Sequence, residues 1–525
     1  MNYDTTSENV RENYSIEVSY YNSHNISENI THLTFSWGFN GPFDNLPKSI
    51  THLTYNNYFN QEVNNLPQTL THLTFGSYFN QKVNNLPQTL IYLTFGCFFN
   101  QEVNALPQSL VYLTFGSYFN QKVNNLPQGL THLTFGYDFN QSIIHLPHSI
   151  IHLAFGSSFN HYDENLPQNL THLTFGNNFN QSIDTREILF SNNISGAHQK
   201  YTESKFLGCN LPQSLTYITF GDSFNQKVNI LPQGVTDLTF GNNFNQKVDN
   251  LPQGLIYLTF GNSFDQNVDR LPRGITYLTF GNKFNKLVDN LPSSLIHLIF
   301  GNDFNQKVND LPQCLTHLTF GKNFNQEVNI LPQNLTHLTF GDNFNQKVNA
   351  LPQNITHLTF GLNFNQEVFN LPTRIAHLTF GDDFNKSVDY LPALLTHLTF
   401  GRCFDQSVEN LPASLTHITF GWGFNHSIDN LPLNITHLVL GEYFDKIINN
   451  FPKSIQKIIF DEDSEYNKKV KNLPSSLEFI QLPRKYNKKI TCFPEGLKKI
   501  ICHRNYEFDN KYDCHVEHYC EKYYD

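Results

Sequence analysis

The chain has 525 residues, a net charge of −11 and only 15% charged residues, where an ordinary soluble chain carries about a quarter. That modest acidity argues against nucleic acid as a general partner, and 48 Phe beside a single Met is too lopsided for a set of average domains. No apolar run reaches the roughly 18 residues of a membrane-spanning helix. The polar, acidic start MNYDTTSENVRENYS is not a secretory signal. Eight scattered Cys make no disulfide framework, which points to a reducing compartment, the cytoplasm.

Residues 1–25 read as a polar extension. A first unit opens at Ile26-Ser27, and from Leu46 a Leu-Pro pair returns every 20 residues to Leu166, giving a repeat block over 26–183. The register then breaks. Residues 184–210 are either an inserted loop or a decayed unit around Leu189–Ile194, since Leu189 lies 22 residues before Leu211. A second block, 211–502, keeps the 20-residue step to Leu431 and continues at Phe451, Leu473 and Phe493. Residues 503–525, with Tyr506, Phe508, Tyr512 and Tyr519, read as an aromatic end cap. Of the 24 prolines, only Pro42 and Pro483 leave this phase, so about 23 units share one architecture.

The unit Leu331–Ala350 reads LPQNLTHLTFGDNFNQKVNA. Its apolar residues are Leu331, Leu335, Leu338, Phe340, Phe344 and Val348. Leu338 and Phe340 alternate with His337 and Thr339, the period of a strand buried on one face. Pro332 has no N–H for a ladder and lies in the approach turn. Gly341 follows the strand as a turn or tight-packing position. Six apolar side chains, each contributing roughly 1.5–3 kcal/mol when buried, cannot offset about 1–2 kcal/mol of backbone entropy per residue in one unit. Units must therefore stack and share a core. The expectation is a mainly β repeat solenoid, a stack of about 23 twenty-residue coils with one parallel sheet whose strands lie about 4.8 Å apart.

The pattern LPxxLxxLxF, then Gly, then FNQ, repeated over about 26–502, resembles the FNIP repeat of amoebae and of giant viruses of amoebae such as mimivirus. The unit also resembles the short bacterial leucine-rich repeat. The resemblance implies a protein-binding solenoid with a concave strand face and a buried asparagine ladder. Asn345 stands five residues after Phe340, however, where a leucine-rich repeat places its Asn three after. Many family members carry an F-box that links them to ubiquitin ligases; residues 1–25 are too short and too polar to be one.

Stacked units turn positions into columns. The column of His337 holds 14 of the chain's 23 histidines, at His32, His52, His72, His132, His152, His172 and then without a gap at His297, His317, His337, His357, His377, His397, His417 and His437. Tyr92, Tyr112, Tyr217, Tyr257 and Tyr277 replace it elsewhere, and Asp237 once. A ladder of flat rings stiffening the sheet and a recognition face for a protein are both readings of this column. A zinc array is disfavoured, because no carboxylate or thiolate recurs beside it. The Asn60, Asn80, Asn100 column predicts side-chain amides bonded to backbone. The Glu62, Lys82, Glu102, Lys122 column, repeated at Lys307, Glu327, Lys347 and Glu367, predicts weak ladder pairs.

Catalytic signatures are absent: there is no nucleophile elbow, P-loop, zinc-protease helix or dinucleotide-binding glycine motif. Near the C-terminus Cys492, Cys502, His503, Cys514, His515, His518 and Cys520 crowd together, but their spacing matches no common zinc finger. No cofactor and no metal are expected. The sequence therefore reads as a monomeric, non-enzymatic scaffold that binds a protein on its strand-lined face around His297–His437, with no nucleic acid or membrane as partner. A spacer without a client and a ubiquitin-ligase adaptor without a recognisable F-box are the competing readings. Crowded imidazoles should titrate below about 6.5, so acid is expected to destabilise the fold and weaken a partner matched to neutral rings.

Overall fold

The computed structural model describes residues 15–18, 26–36, 38–41, 46–161, 166–183, 186–191, 202–207, 211–490, 492–508 and 514–519. The chain divides into two compact units, residues 1–264 and 265–525. The division falls inside the regular repeat, not at the break in register. Among the described residues there is no helix.

In each unit the repeats supply a run of parallel strands of three or four residues, one per repeat. The strand His337–Thr339 pairs with His317–Thr319 on one side and His357–Thr359 on the other, always residue i with residue i ± 20. Strands stay this short because irregular backbone must return the chain within 20 residues. The ladder nevertheless extends past them: Thr336 and His337 donate to Thr316 O at 2.9 and 3.0 Å, and Phe340 donates to Thr359 O at 2.9 Å. Proline serves as an acceptor in the approach turn, where Leu335 donates to Pro332 O at 3.2 Å.

All six apolar side chains of the unit are buried, none more than 2% exposed. They form continuous columns. Phe340 stacks on Phe360 at 5.7 Å and Phe344 on Phe364 at 6.1 Å, while the two rings of one unit meet at 3.8 Å. On the opposite face of the strand His337 stacks on His357 at 4.2 Å. Equivalent side chains are related by one coil-to-coil step, and a step that includes rotation moves a point farther the farther it lies from the axis. The rise from 4.2 to 6.1 Å therefore shows that neighbouring coils splay, with the strand-lined face on the inside of the local bend.

Glycine after the strand is required by close approach and not by a turn. A Cβ on Gly136 would lie 1.9 Å from Gly116 O, and on Gly341 1.9 Å from Gly321 O. Gly129, in the approach turn, has no atom closer than 3.7 Å to such a Cβ. The sheet also begins and ends outside the repeat pattern. Ser15–Val18, within the stretch read as an extension, pairs in parallel with His32–Phe35. His515–His518, within the expected cap, pairs in parallel with Lys499–Cys502.

At the break, His172–Thr174 pairs directly with Tyr217–Thr219 in the usual register. Asn225 donates to Asn180 across 45 residues, as Asn245 donates to Asn225 across 20. Between them Arg186–Ser191 and Thr202–Leu207 form a separate antiparallel pair. Residues 184, 185, 192–201 and 208–210, which include part of the segment read as a possible decayed unit, lie outside the described residues.

Two outcomes follow for stability. Gly136→Ala should lower it by about 1–3 kcal/mol or more through backbone overlap, whereas Gly129→Ala should be neutral or stabilise by up to about 1 kcal/mol; denaturant unfolding of the two variants distinguishes them. Deleting residues 184–208 restores the 20-residue step, so the thermal midpoint should hold. A collapse of cooperative unfolding would mean that the segment supports the coils.

Candidate partner-binding face

The strands His297–Ile299 through His437–Leu440 present one unbroken row of imidazoles. Leu at the next position is buried, so the alternation of the strand turns each His outward, where it is half-buried by its neighbours. The rings lie nearly parallel at 4.1–4.3 Å along the row. Tyr277 continues it at one end, 4.4 Å from His297, and the strand of Lys457 pairs beside His437 at the other. The structure thus brings together all eight sequence-predicted residues. In the first unit, His32, His52, His72, Tyr92, Tyr112, His132, His152 and His172 form the same kind of row at 3.9–4.3 Å.

The residue before each His was not singled out from sequence, yet it governs the ring. Thr336 Oγ1 lies 2.9 Å from His337 Nδ1 and 3.1 Å from Thr316 O. The same arrangement holds at His317, His357, His397, His417 and His437. The recurring dipeptide Thr-His was the available signal. His297 and His377 follow Ile296 and Ala376 and lack this partner.

Stacking removes water from the imidazoles and sets like charges side by side. Burial, then repulsion from neighbouring His, holds His297, His317, His337, His357, His397 and His417 below the usual histidine range. His437 is lowered likewise, with Lys457 as its main charged neighbour. In the first unit His52 falls to about 4.

Other columns depart from expectation. The asparagine ladder exists, with Asn325 Oδ1 accepting the Asn345 N–H at 2.9 Å and the Gln346 amide at 3.0 Å. It runs along the surface and is not buried, because the Asn lies one residue past Phe344, where the chain faces solvent. Asp265 and Asp405 keep the acceptor role, each receiving the next Asn N–H at 2.9 Å. The alternating charges do not pair along their column. Glu62, Glu102 and Glu327 instead accept the amides of Asn64, Asn104 and Asn329 within their own loops. Among the described residues, ion pairs fall elsewhere, such as Lys286 with Asp265 at 2.7 Å and Arg484 with Glu462 at 3.1 Å.

At the C-terminal end Cys502 is buried, its thiol pushed up to about 11 by desolvation, with Sγ 4.0 Å from His518 Nδ1. Cys492 is exposed. Among the described residues no three His, Cys, Asp or Glu come together to hold a metal ion; Cys520 and Tyr512 lie outside them. Tyr519 donates to Leu482 O at 2.5 Å and stacks under Arg484, and Tyr506 donates to Lys488 O at 3.2 Å, so both rings seal the last coils. A second surface feature escaped sequence reading: Tyr58, Tyr78, Phe98 and Tyr118 stack at 4.9–5.4 Å beside the strand ends, each at least 40% exposed.

The lowered histidines fix a pH dependence. The unfolded chain takes up protons below about 6.5, while in the folded chain the lowered imidazoles named above resist below that, down to about 4 at His52. Stability is thus fully present above 6.5 and is lost as pH falls through this window. The urea midpoint should drop between pH 7.5 and pH 5.0. Replacing His337 and His357 with Gln should make that drop shallower, and an unchanged slope would contradict the electrostatic account.

CroV588 of the giant virus CroV, described as a circular leucine-rich-repeat protein, is 38% identical over 95% of this chain and 87% of its own, with a TM-score of 0.75. YopM from Yersinia enterocolitica is 18% identical over 90% of this chain and 92% of its own, with a TM-score of 0.46. InlJ from Listeria monocytogenes is 12% identical over 65% and 71%, with a TM-score of 0.38. No curated protein matches. Among the described residues no helix is long and apolar enough to cross a membrane. The fold is a leucine-rich-repeat-like solenoid, of a kind typical of protein-interaction scaffolds. The FNIP Repeat model matches in successive segments from residue 59 to 188 and from 204 to 463, and the chain belongs to the FNIP repeat family.

Proposed function

We propose that the protein is a non-enzymatic scaffold that holds a protein partner on its strand-lined face, centred on His297, His317, His337, His357, His377, His397, His417 and His437. The observation that carries this reading is the row itself: eight half-exposed rings at constant spacing on the inner side of the bend. The flanking face columns are Thr, Ile, Ala and Val, so a partner meets a strip without charged side chains between Tyr277 and Lys457. Such a strip suits recognition, because desolvating it leaves no charge unpaired. The same reading takes the chain as a cytoplasmic monomer; free cysteines at 97, 314, 403, 492 and 502 are in keeping with a reducing compartment. Residues 184–210 are taken as an insertion between two repeat blocks, and residues 503–525 as the cap.

The test is capture from extract of the cell in which the protein is made, with the whole chain as bait, in parallel with two variants. His337→Glu with His377→Glu places charge on the strip. Asn309→Glu with Asn349→Glu places the same charge on the exposed loops of the far side. Partner recovery should fall at least tenfold with the first pair and hold with the second. Equal recovery from both would remove the face from the account and favour a spacer without a client.

A further inference from the structure

The hydrogen bonding behind the histidine row assigns its outward chemistry. Thr316 O already accepts two backbone N–H groups, from Thr336 at 2.9 Å and His337 at 3.0 Å. A carbonyl oxygen has two lone pairs, so the Thr336 hydroxyl, 3.1 Å away, finds this acceptor occupied. His337 Nδ1, at 2.9 Å, is the open one. The hydroxyl hydrogen therefore goes to Nδ1, which must be unprotonated, and the ring proton sits on Nε2. The same logic applies at His317, where Thr316 Oγ1 is 2.8 Å from Nδ1 and 3.3 Å from the carbonyl, and at His357, His397, His417 and His437. Among the described residues none of these Nε2 atoms meets a protein atom within hydrogen-bond reach, and the rings are half-exposed.

Resting on the partner-binding reading above, we infer that the threonines lock their histidines in the Nε2–H form, so that the face offers a row of N–H donors to an acidic, carboxylate-bearing segment of the partner. Parallel rings about 4.2 Å apart point their N–H groups the same way. An extended chain lying along the row can meet them with carboxylates, and bonds from a neutral donor to an ionised acceptor are the stronger kind. Converging metal ligation does not fit, because parallel nitrogens at this separation do not meet at one ion. A cationic segment finds no acceptor on Nε2.

Acid strengthens this contact. Protonation occurs at Nδ1, whose new N–H donates to the threonine Oγ1 while the hydroxyl hydrogen turns to solvent, and it leaves the outward N–H in place with a positive charge behind it. The groups facing each ring are its two stacked neighbours and the uncharged Thr, Ile, Ala or Val columns; at the ends stand Tyr277 and Lys457. A partner matched to neutral rings would weaken in acid, the opposite result.

Two measurements on the full chain test the inference. With 15N-labelled histidine at pH 7.5, long-range proton–nitrogen spectra should show Nε2 protonated and Nδ1 bare at the six threonine-backed positions. His297 and His377, which lack the hydroxyl, serve as internal comparisons. Protonated Nδ1 at the six would overturn the assignment, whatever the partner. The second is calorimetric titration with poly-L-glutamate as probe. Binding should tighten at least threefold from pH 7.5 to 6.0 and weaken at least tenfold in the variant His317→Phe, His337→Phe, His357→Phe, which keeps the rings and removes the donors. Affinity equal in the variant, or weaker at pH 6.0, would overturn the partner chemistry; loss of captured partner from the far-side charge variant would instead count against the face itself.

Discussion

The coils approach so closely at one point that no side chain fits there. After each strand the glycine of one coil lies against the carbonyl of the glycine before it, and a Cβ would sit about 2 Å from that oxygen. This contact sets the step between coils. Once it is fixed, residue i must pair with residue i ± 20, Phe must stack on Phe and His on His. The contact lapses in the first coils, where Ser36 and Asn56 hold the position, and in the late ones, where Asp461, Pro483 and His503 do. Asn56 uses its amide there to bond Phe39 O at 2.9 Å, a different way of closing the same corner.

The bend follows from what fills the two sides of the strand. Paired phenylalanines, 3.8 Å apart within a coil, thicken the interior. Flat imidazoles at 4.2 Å hold the strand side near the spacing of a parallel sheet. One side chain class thus serves packing and the other presents chemistry. Function of this kind resides in a surface repeated many times and not in a pocket, so single substitutions along the row act on a contact shared by several neighbours.

The fold was legible because a 20-residue period with six apolar positions admits only a stacked solution. The His column was legible for the same reason, since the strand alternation places it opposite Leu338. What stayed hidden was hydrogen bonding between coils. The asparagine ladder reads as buried by analogy, but the extra residues after Phe340 carry it past Phe344 to the surface. Alternating Glu and Lys read as pairs, yet loop amides reach those carboxylates first. The threonine hydroxyl behind six of the eight imidazoles needed the distance to the previous coil's carbonyl before it could be recognised. Ser15–Val18 lacks the repeat's Leu-Pro signature altogether, so its place in the sheet could come only from its register with His32–Phe35.

That the row of imidazoles is the working face is tested most directly by acylating histidines with diethylpyrocarbonate, with and without the captured partner, and reading each site by mass spectrometry. The account predicts that His317, His337, His357 and His397 are modified in the free chain and protected in the complex, while His145 and His148, exposed on the loops away from the strands, react equally in both. Protection of the loop histidines with the row left reactive would contradict it.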